Sequence, residues 1–299
     1  MKLLERLVKQ QLVVVTGKGG VGKTTLAAAL GRFLAARGRR TLLLEIDPRE
    51  SLHQLLGTEP SGGDILQAGD RLSVQNLQAQ AVVEGLVREK LPIAALASKV
   101  IASSVFQHFA QGAPGMKEMA VLGYALRTVE GHYRQKFDVV VLDAPATGHG
   151  ASMLVAPLLL ADVIGGGQLG EMARDLARFI ADPGRCGVVL AALAEEMPIQ
   201  EALELIALLR EKLGRPPELV IANALYPPFP TRSASGKGAE AGVRATLDLW
   251  RQRREVNDRE LTRLRAQWKG PLAEIPLLPL DRGPELLAAV TEALTEELG

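Results

Sequence analysis

The residues with the clearest chemical meaning form one continuous run near the amino terminus: Gly17, Lys18, Gly19, Gly20, Val21, Gly22, Lys23, Thr24 and Thr25. The run matches G-x-x-x-x-G-K-[ST], in which the glycines let backbone N–H groups turn inward around phosphate oxygens. A helix that begins at this point adds the partial positive charge of its N-terminus. The pattern therefore predicts a phosphate-binding loop (P-loop) for ATP or ADP. We expect Lys23 to contact the β- and γ-phosphates and the Thr24 hydroxyl to bind Mg²⁺.

Two further residues, Asp143 and Lys18, are candidates for the same nucleotide site, but each is weaker evidence for it when taken alone. Asp143 follows the apolar run Phe137–Leu142, which is the usual place for a carboxylate that holds the Mg²⁺ shell. Lys18 is a second lysine that the phosphate cradle does not require. A solvated loop lysine and a residue that contacts a nucleotide in another subunit both remain open for Lys18.

The elements around the loop predict an α/β fold. A β-branched run at 12–15 precedes the loop, a helix over 24–37 ends before Gly38, and a second strand covers 41–46. A strand-helix-strand unit of this kind implies a parallel sheet. We expect a P-loop NTPase with a mostly parallel central sheet flanked by helices, and one domain over 1–299. Further strands are predicted at 72–78, 137–142, 186–192, 219–222 and 272–277, and helices at 199–213 and 285–298.

A different pattern covers 81–133, which is helix-like, rich in apolar residues and without strand alternation. We interpret it as a helical subdomain inserted between sheet strands. Its apolar residues lie on more than one helical face, which indicates either ordinary core packing or a surface that receives a partner. Both interpretations stay open.

Composition narrows the class of protein. There are 35 basic and 34 acidic residues, and the net charge of +1 gives no attraction to nucleic acid or to an anionic membrane. The start of the chain is too charged for a secretory signal, and the longest apolar stretch is far shorter than the roughly 20 residues that span a bilayer. We expect a cytoplasmic protein without a nucleic-acid partner. The single cysteine, Cys186, excludes an internal disulfide.

Several segments together resemble the ArsA family, which comprises arsenite-pump ATPases and ATPases that target tail-anchored membrane proteins. The loop KGGVGKTT looks like the deviant P-loop class to which that family belongs. DAPATGH, which begins at Asp143, resembles the family's switch II, and IDPRESL, which begins at Ile46, resembles its switch I. Weaker likenesses are APGMKE from Ala113, AEEMPIQEALEL before and within the predicted helix 199–213, and IPLLPLDRGPEL from Ile275.

The resemblance implies roles for individual residues. Lys18 would reach across a dimer interface to the partner's nucleotide, and Asp47 would orient the attacking water. Asp143 would support Mg²⁺, and Asn223 would read adenine. Nucleotide-dependent switching would involve Asp47, Pro48, Thr147, Gly148 and His149. With Lys18, Lys23 and Asp47 as the catalytic set, the implied activity is Mg²⁺-dependent ATP hydrolysis coupled to closure of a dimer with itself or a paralogue.

The departures from the family pattern leave three functions open. The chain has no C-x-x-C pair, so no zinc is expected, and Cys186 alone cannot supply the several cysteines with which arsenite pumps bind arsenite. One possibility is binding or targeting of an apolar membrane-protein client, with transient presence at the membrane surface. The second is an ATPase subunit that energises an anion transporter. The third is a positioning switch like MinD or ParA, although the acidic C-terminus lacks a Lys-rich membrane anchor.

Overall fold

A computed structural model describes residues 3–46, 51–90, 93–104, 106, 115–145, 152–164, 166–228 and 241–299. Its centre is an eight-stranded sheet with the order β3-β4-β2-β5-β1-β6-β7-β8. Neighbouring strands are parallel except for the antiparallel pair of β3 and β4. The strands are β1 Leu12–Thr16, β2 Thr41–Glu45, β3 Leu66–Gly69, β4 Leu72–Asn76, β5 Val139–Asp143, β6 Cys186–Leu193, β7 Leu219–Leu225 and β8 Leu272–Pro276.

The described helices flank this sheet on both faces. They are α1 Leu3–Lys9, α2 Lys23–Ala36, α3 Ser51–Leu56, α4 Ala79–Lys90, α5 Ala94–Ala102, α6 Met116–Val129, α7 Ser152–Val163, α8 Gly167–Ala181, α9 Glu196–Leu213, α10 Ala241–Gln267 and α11 Pro284–Leu298. The predicted α/β class and mostly parallel sheet are confirmed. The sequence analysis did not predict β3 or the helices α1, α3, α7 and α8.

The core is divided between the two faces of the sheet because side chains alternate along each strand. In β1, Val13 and Val15 pack with α2 and α11 on one face, whereas Leu12 and Val14 pack with α6 and α8 on the other. Every residue of β1, β2 and β5 is buried, as expected for parallel strands covered by helices on both sides. These three strands, one of which leads into the P-loop, therefore lie in the buried centre of the sheet.

The predicted insert at 81–133 contains α4, α5 and α6. Helix α6 lies on the sheet, and its Met119, Leu122 and Ala125 are fully buried in the same core cluster as Leu12 and Val14. Helix α4 packs on α6, and α5 packs on α4. The last helix of the segment is thus part of the layer that covers the sheet. The division of the chain into an ATPase domain and an inserted subdomain remains a prediction.

Among the residues that the structure describes, no helix combines the length and the apolar character needed to cross a membrane.

Candidate nucleotide-binding site

The P-loop begins where β1 ends, at the edge of the sheet where the parallel strands have their carboxyl ends. Gly17 has a φ of 143°, and a Cβ placed there would stand closer than 3.0 Å to the backbone carbonyl oxygen of Ala191 in β6. Gly22 has a φ of 88°, and its Cβ would stand closer than 3.0 Å to the side-chain amide of Asn223. Both positions therefore require glycine for backbone conformation and for space.

Helix α2 starts directly after the loop, with Gly22 as its N-cap. Because glycine has no side chain, the cap itself cannot satisfy the N–H groups of the first turn. The first turn carries Lys23, Thr24 and Thr25 and no acidic residue. A helix start with these properties favours an anion such as a phosphate group.

The Lys23 side chain is largely buried and turns back onto its own loop. Its Nζ donates a hydrogen bond to the Lys18 carbonyl oxygen at 2.7 Å. Burial lowers the pKa of Lys23 below the usual lysine value, and the nearby Asp143 carboxylate opposes that shift. A phosphate group would give this buried ammonium a stronger counter-charge than the carbonyl does.

Thr24, in the first turn of α2, contacts Asp143 at the end of β5. Asp143 is opposite Val15 in the β1–β5 register, and the Thr24 hydroxyl donates to Asp143 Oδ2 at 2.6 Å. A hydroxyl and a carboxylate are oxygen ligands that suit Mg²⁺, which usually takes its other ligands from water and substrate phosphates. In the described part of the chain, no group of three or more His, Cys, Asp or Glu could hold a metal. These two residues fit a Mg²⁺ ion shared with a nucleotide, and that role stays a prediction.

Asn223 lies near the end of β7 and contacts the loop from the side. Its Nδ2 donates to the Val21 carbonyl oxygen at 2.9 Å, while the Val21 side chain is buried in the core. Val21 is therefore held in place both by the hydrogen bond from Asn223 and by the packing of its own side chain. The side-chain oxygen of Asn223 is the kind of acceptor that the amino group of adenine needs, and the adenine role also remains a prediction.

Lys18 pairs with a residue of its own chain. Its Nζ lies 2.5 Å from Glu201 Oε1 in α9, and the two side chains are 42% and 36% exposed. Residues 18–20 of the loop are all exposed at this edge. The predicted contact of Lys18 with a partner subunit would require this ion pair to break, and it remains a prediction.

Glu45 is a site residue that the sequence analysis missed. It ends β2 and is buried, and its two carboxylate oxygens accept the backbone N–H groups of Ser51 at 2.7 Å and Leu52 at 3.1 Å. The carboxylate thus holds the start of α3, and with it the far end of the short segment that contains Asp47. An acidic residue at the end of an otherwise apolar strand, TLLLE, was the available signal.

Five predicted site residues lie outside the described residues: Asp47, Pro48, Thr147, Gly148 and His149. The structure describes the elements on either side of them. Asp47 and Pro48 belong to the stretch of chain between β2 and α3, and Thr147, Gly148 and His149 belong to the stretch between β5 and α7.

A model of the family of anion-transporting ATPases, named ArsA ATPase, matches residues 10–178. The chain belongs to the ArsA ATPase family. ATPase BagA of Mycobacterium tuberculosis is 31% identical over 250 residues, which cover 80% of this chain and 72% of that protein. ATPase asna-1 of Caenorhabditis elegans is 27% identical over 267 residues, covering 75% and 76% of the two chains. A protein of Aquifex aeolicus named for driving an arsenical pump is 29% identical over 145 residues, 46% of each chain.

Membership of the ArsA family supports ATP hydrolysis as the activity and nucleotide as the ligand of the loop. The cysteine of this ArsA ATPase is unsuited to bind a metalloid. Cys186 is fully buried in β6, and burial raises the pKa of its thiol to about 12. At neutral pH the thiol is therefore protonated and inaccessible, whereas the reactive and metal-binding form of cysteine is the thiolate.

Proposed function

We propose that this ArsA-family ATPase hydrolyses Mg²⁺-ATP at the interface of two subunits and couples hydrolysis to binding of an apolar segment of a membrane protein. The observation that carries the proposal is the position of two described features on either side of the predicted switch II segment. Before it, Asp143 accepts a hydrogen bond from Thr24, and after it begins α7, a helix that exposes apolar side chains. A change at the phosphate end of the site is therefore connected along the chain to an apolar surface.

The nucleotide half of the proposal assigns one task to each residue. The N–H groups of the loop and Lys23 bind phosphate, while Thr24 and Asp143 hold Mg²⁺. Mg²⁺, when bound, neutralises charge on the phosphate oxygens. Asp47 orients the attacking water, and Lys18 of each subunit supplies charge to the nucleotide of the other, much as an arginine finger does.

The client half rests on exposed apolar side chains in the helical layer. Ile93 and Leu96, before and within α5, are 63% and 47% exposed, and Leu159 and Val163 in α7 are 55% and 79% exposed. Helix α7 has a single charged residue, Asp162. Helices α5 and α7 belong to one continuous layer, because α4 and α6 connect them through successive contacts. Exposed apolar side chains on helices of one layer suit an apolar helix as partner.

Coupling requires that the client bind the two nucleotide states with different affinity. A tenfold difference corresponds to about 1.4 kcal/mol, slightly less than the roughly 1.5–3 kcal/mol gained by fully burying one large apolar side chain. The burial of Cys186 favours this function over arsenite transport, because arsenite binding would require accessible thiolates.

The nucleotide half is tested by sedimentation of the purified chain with Mg²⁺ and ATP, ADP or no nucleotide. We expect a dimer with ATP, which an Asp47→Asn variant should keep for longer because hydrolysis is blocked. Lys18→Ala should dimerise much more weakly and lose most of its turnover. A Lys18→Ala chain that dimerises and hydrolyses ATP like the wild type would refute the shared site.

The client half is tested with a fluorescent peptide of about 20 apolar residues, the length of a membrane span. We expect Leu159→Glu and Val163→Glu to weaken its binding without changing ATP turnover in the absence of peptide. Leu249→Glu is the matched control, because Leu249 is an equally exposed leucine (52%) in α10. Equal losses at Leu159 and Leu249 would show that the peptide does not recognise the helical layer. Binding to a multi-span transporter instead of the peptide would support the alternative function, an ATPase subunit that energises a transporter.

A further inference from the structure

The contact between Lys18 and Glu201 is a short ion pair between residues 183 positions apart in the chain. It forms because β6 pairs with β1, so that the start of α9 lies beside the P-loop. Glu201 is on the second turn of α9, and that helix packs on β6. The carboxylate is thus attached to a rigid element, whereas Lys18 is part of the loop that must contact nucleotide.

Both lysines of the loop have partners within their own chain. Lys23 donates to the carbonyl oxygen of Lys18, and the Lys18 ammonium binds Glu201. When a nucleotide binds, Lys23 must leave that carbonyl to contact phosphate. When Lys18 contacts a second subunit, it must leave Glu201. Both changes involve Lys18, because the first releases its carbonyl oxygen and the second releases its ammonium. Release of the carbonyl oxygen can therefore weaken the ion pair with Glu201.

We infer that Glu201 is a positioning residue that holds Lys18 within its own subunit, and that this pair must break before Lys18 reaches the nucleotide of a partner. The inference rests on the proposed function, because it assigns the competing partner of Lys18 to a second subunit. Glu201 therefore lowers the tendency of the subunits to close and makes closure depend on nucleotide.

The size of the effect follows from the exposure of the pair. Both side chains are more than one third exposed, and ion pairs of this kind shift an equilibrium by roughly 1.4- to 5-fold. Two such pairs break in each dimer, so the factors multiply. Removing the carboxylate should strengthen ATP-dependent dimerisation by roughly 2- to 25-fold in dissociation constant.

The variant that tests the inference is Glu201→Gln, which keeps the size of the side chain and removes its charge. Glu204→Gln is the matched control on the same helix, since Glu204 is exposed and accepts a hydrogen bond from Gln200. The first measurement is acylation of the monomer by an amine-reactive ester, with the modified lysines identified by mass spectrometry. Because the reagent attacks the free amine and the ion pair holds Lys18 as an ammonium, Glu201→Gln should speed modification of Lys18 by roughly 1.4- to 5-fold, and Glu204→Gln should not.

The second measurement is the dissociation constant of the dimer with Mg²⁺ and ATP, in the wild type and in a Lys18→Ala background. We expect Glu201→Gln to tighten the dimer only when Lys18 is present. An equal change in both backgrounds would overturn the inference, because it would show that Glu201 acts on stability or directly on the interface. A weaker dimer in Glu201→Gln would overturn it as well.

The failures of the two proposals are distinguishable. A wild-type chain that stays monomeric with ATP would refute the shared nucleotide site, and the role of Glu201 in dimer closure would fall with it. Unchanged acylation of Lys18 in Glu201→Gln would refute the intramolecular pair alone, whatever the wild type does with ATP.

Discussion

Alanine substitutions at three glycines of the P-loop test whether the site is built as described. At Gly20, φ is 81°, and no heavy atom of the described chain lies within 4 Å of the place where a Cβ would stand. Alanine at this position should therefore lower the free energy of unfolding only through the strain of the left-handed backbone, by about 1–2 kcal/mol. At Gly22 the same backbone cost applies, and the new Cβ also displaces the Asn223 amide from Val21. That hydrogen bond adds about 0.5–1.5 kcal/mol, which gives a total of about 1.5–3.5 kcal/mol.

Gly17→Ala should be the most damaging of the three. The obstacle at Gly17 is the Ala191 carbonyl, which belongs to the buried strand β6 and cannot rotate away. Backbone strain of about 1–3 kcal/mol combines with overpacking of about 1–3 kcal/mol. The loop must move to relieve the clash, and a displacement of about 1 Å can reduce turnover roughly 100-fold.

The free energy of unfolding of each variant can be measured by urea denaturation with linear extrapolation, and ATP turnover by phosphate release. A fourth chain, Gly22→Ala with Asn223→Ala, separates the two costs at Gly22. With the amide removed, Gly22→Ala should destabilise the protein by no more than Gly20→Ala does. If Gly17→Ala were as mild as Gly20→Ala in both assays, the placement of the loop against β6 would be wrong.

Three further predictions concern the buried polar groups. Asp143→Asn should raise the Mg²⁺ concentration for half-maximal turnover by roughly 10- to 100-fold. Because Asp143 is the group that raises the pKa of Lys23, its loss should lower that pKa further, and ATP affinity should decline at a lower pH than in the wild type when pH is titrated upward. Cys186 should not react with a thiol reagent at pH 8 in the folded protein and should react fully in guanidinium, because the pKa of the buried thiol is about 12; fast labelling of the native chain would contradict its burial. Glu45→Gln should lower the free energy of unfolding by about 1–3 kcal/mol, since an amide NH₂ would face one of the two backbone N–H groups at the start of α3. Glu45→Gln should also slow ATP turnover, because α3 begins shortly after Asp47 in the chain. An unchanged urea midpoint would refute the role of Glu45 in holding the start of α3.

The sequence predicted much of the frame because local signals were strong where the core is continuous. The strands β1, β2 and β4 to β8 were predicted, most of them from short β-branched and apolar runs, and α2, α9 and α11 were predicted from helix formers with clear ends. Strand β3 was missed because it has four residues, LQAG, alternates between half-buried and exposed positions, and has no strand-typical composition. The contacts of α6 with β1 and β5 were not predicted, since periodicity indicates that a helix face is apolar and does not indicate what covers it.

Sequence alone determined the ligand of this ArsA ATPase, because the spacing of the glycines, Lys23 and Thr24 is local and acts through backbone geometry. Tertiary structure decided which distant residues join that loop. Asp143 is 119 positions from Thr24 and Glu201 is 183 positions from Lys18, and the strand order β5-β1-β6 brings all four to one edge of the sheet. It also decided that Glu45 holds α3 and that Cys186 is inaccessible. Such contacts depend on which strands become neighbours, and that choice is made by burial across the whole sheet.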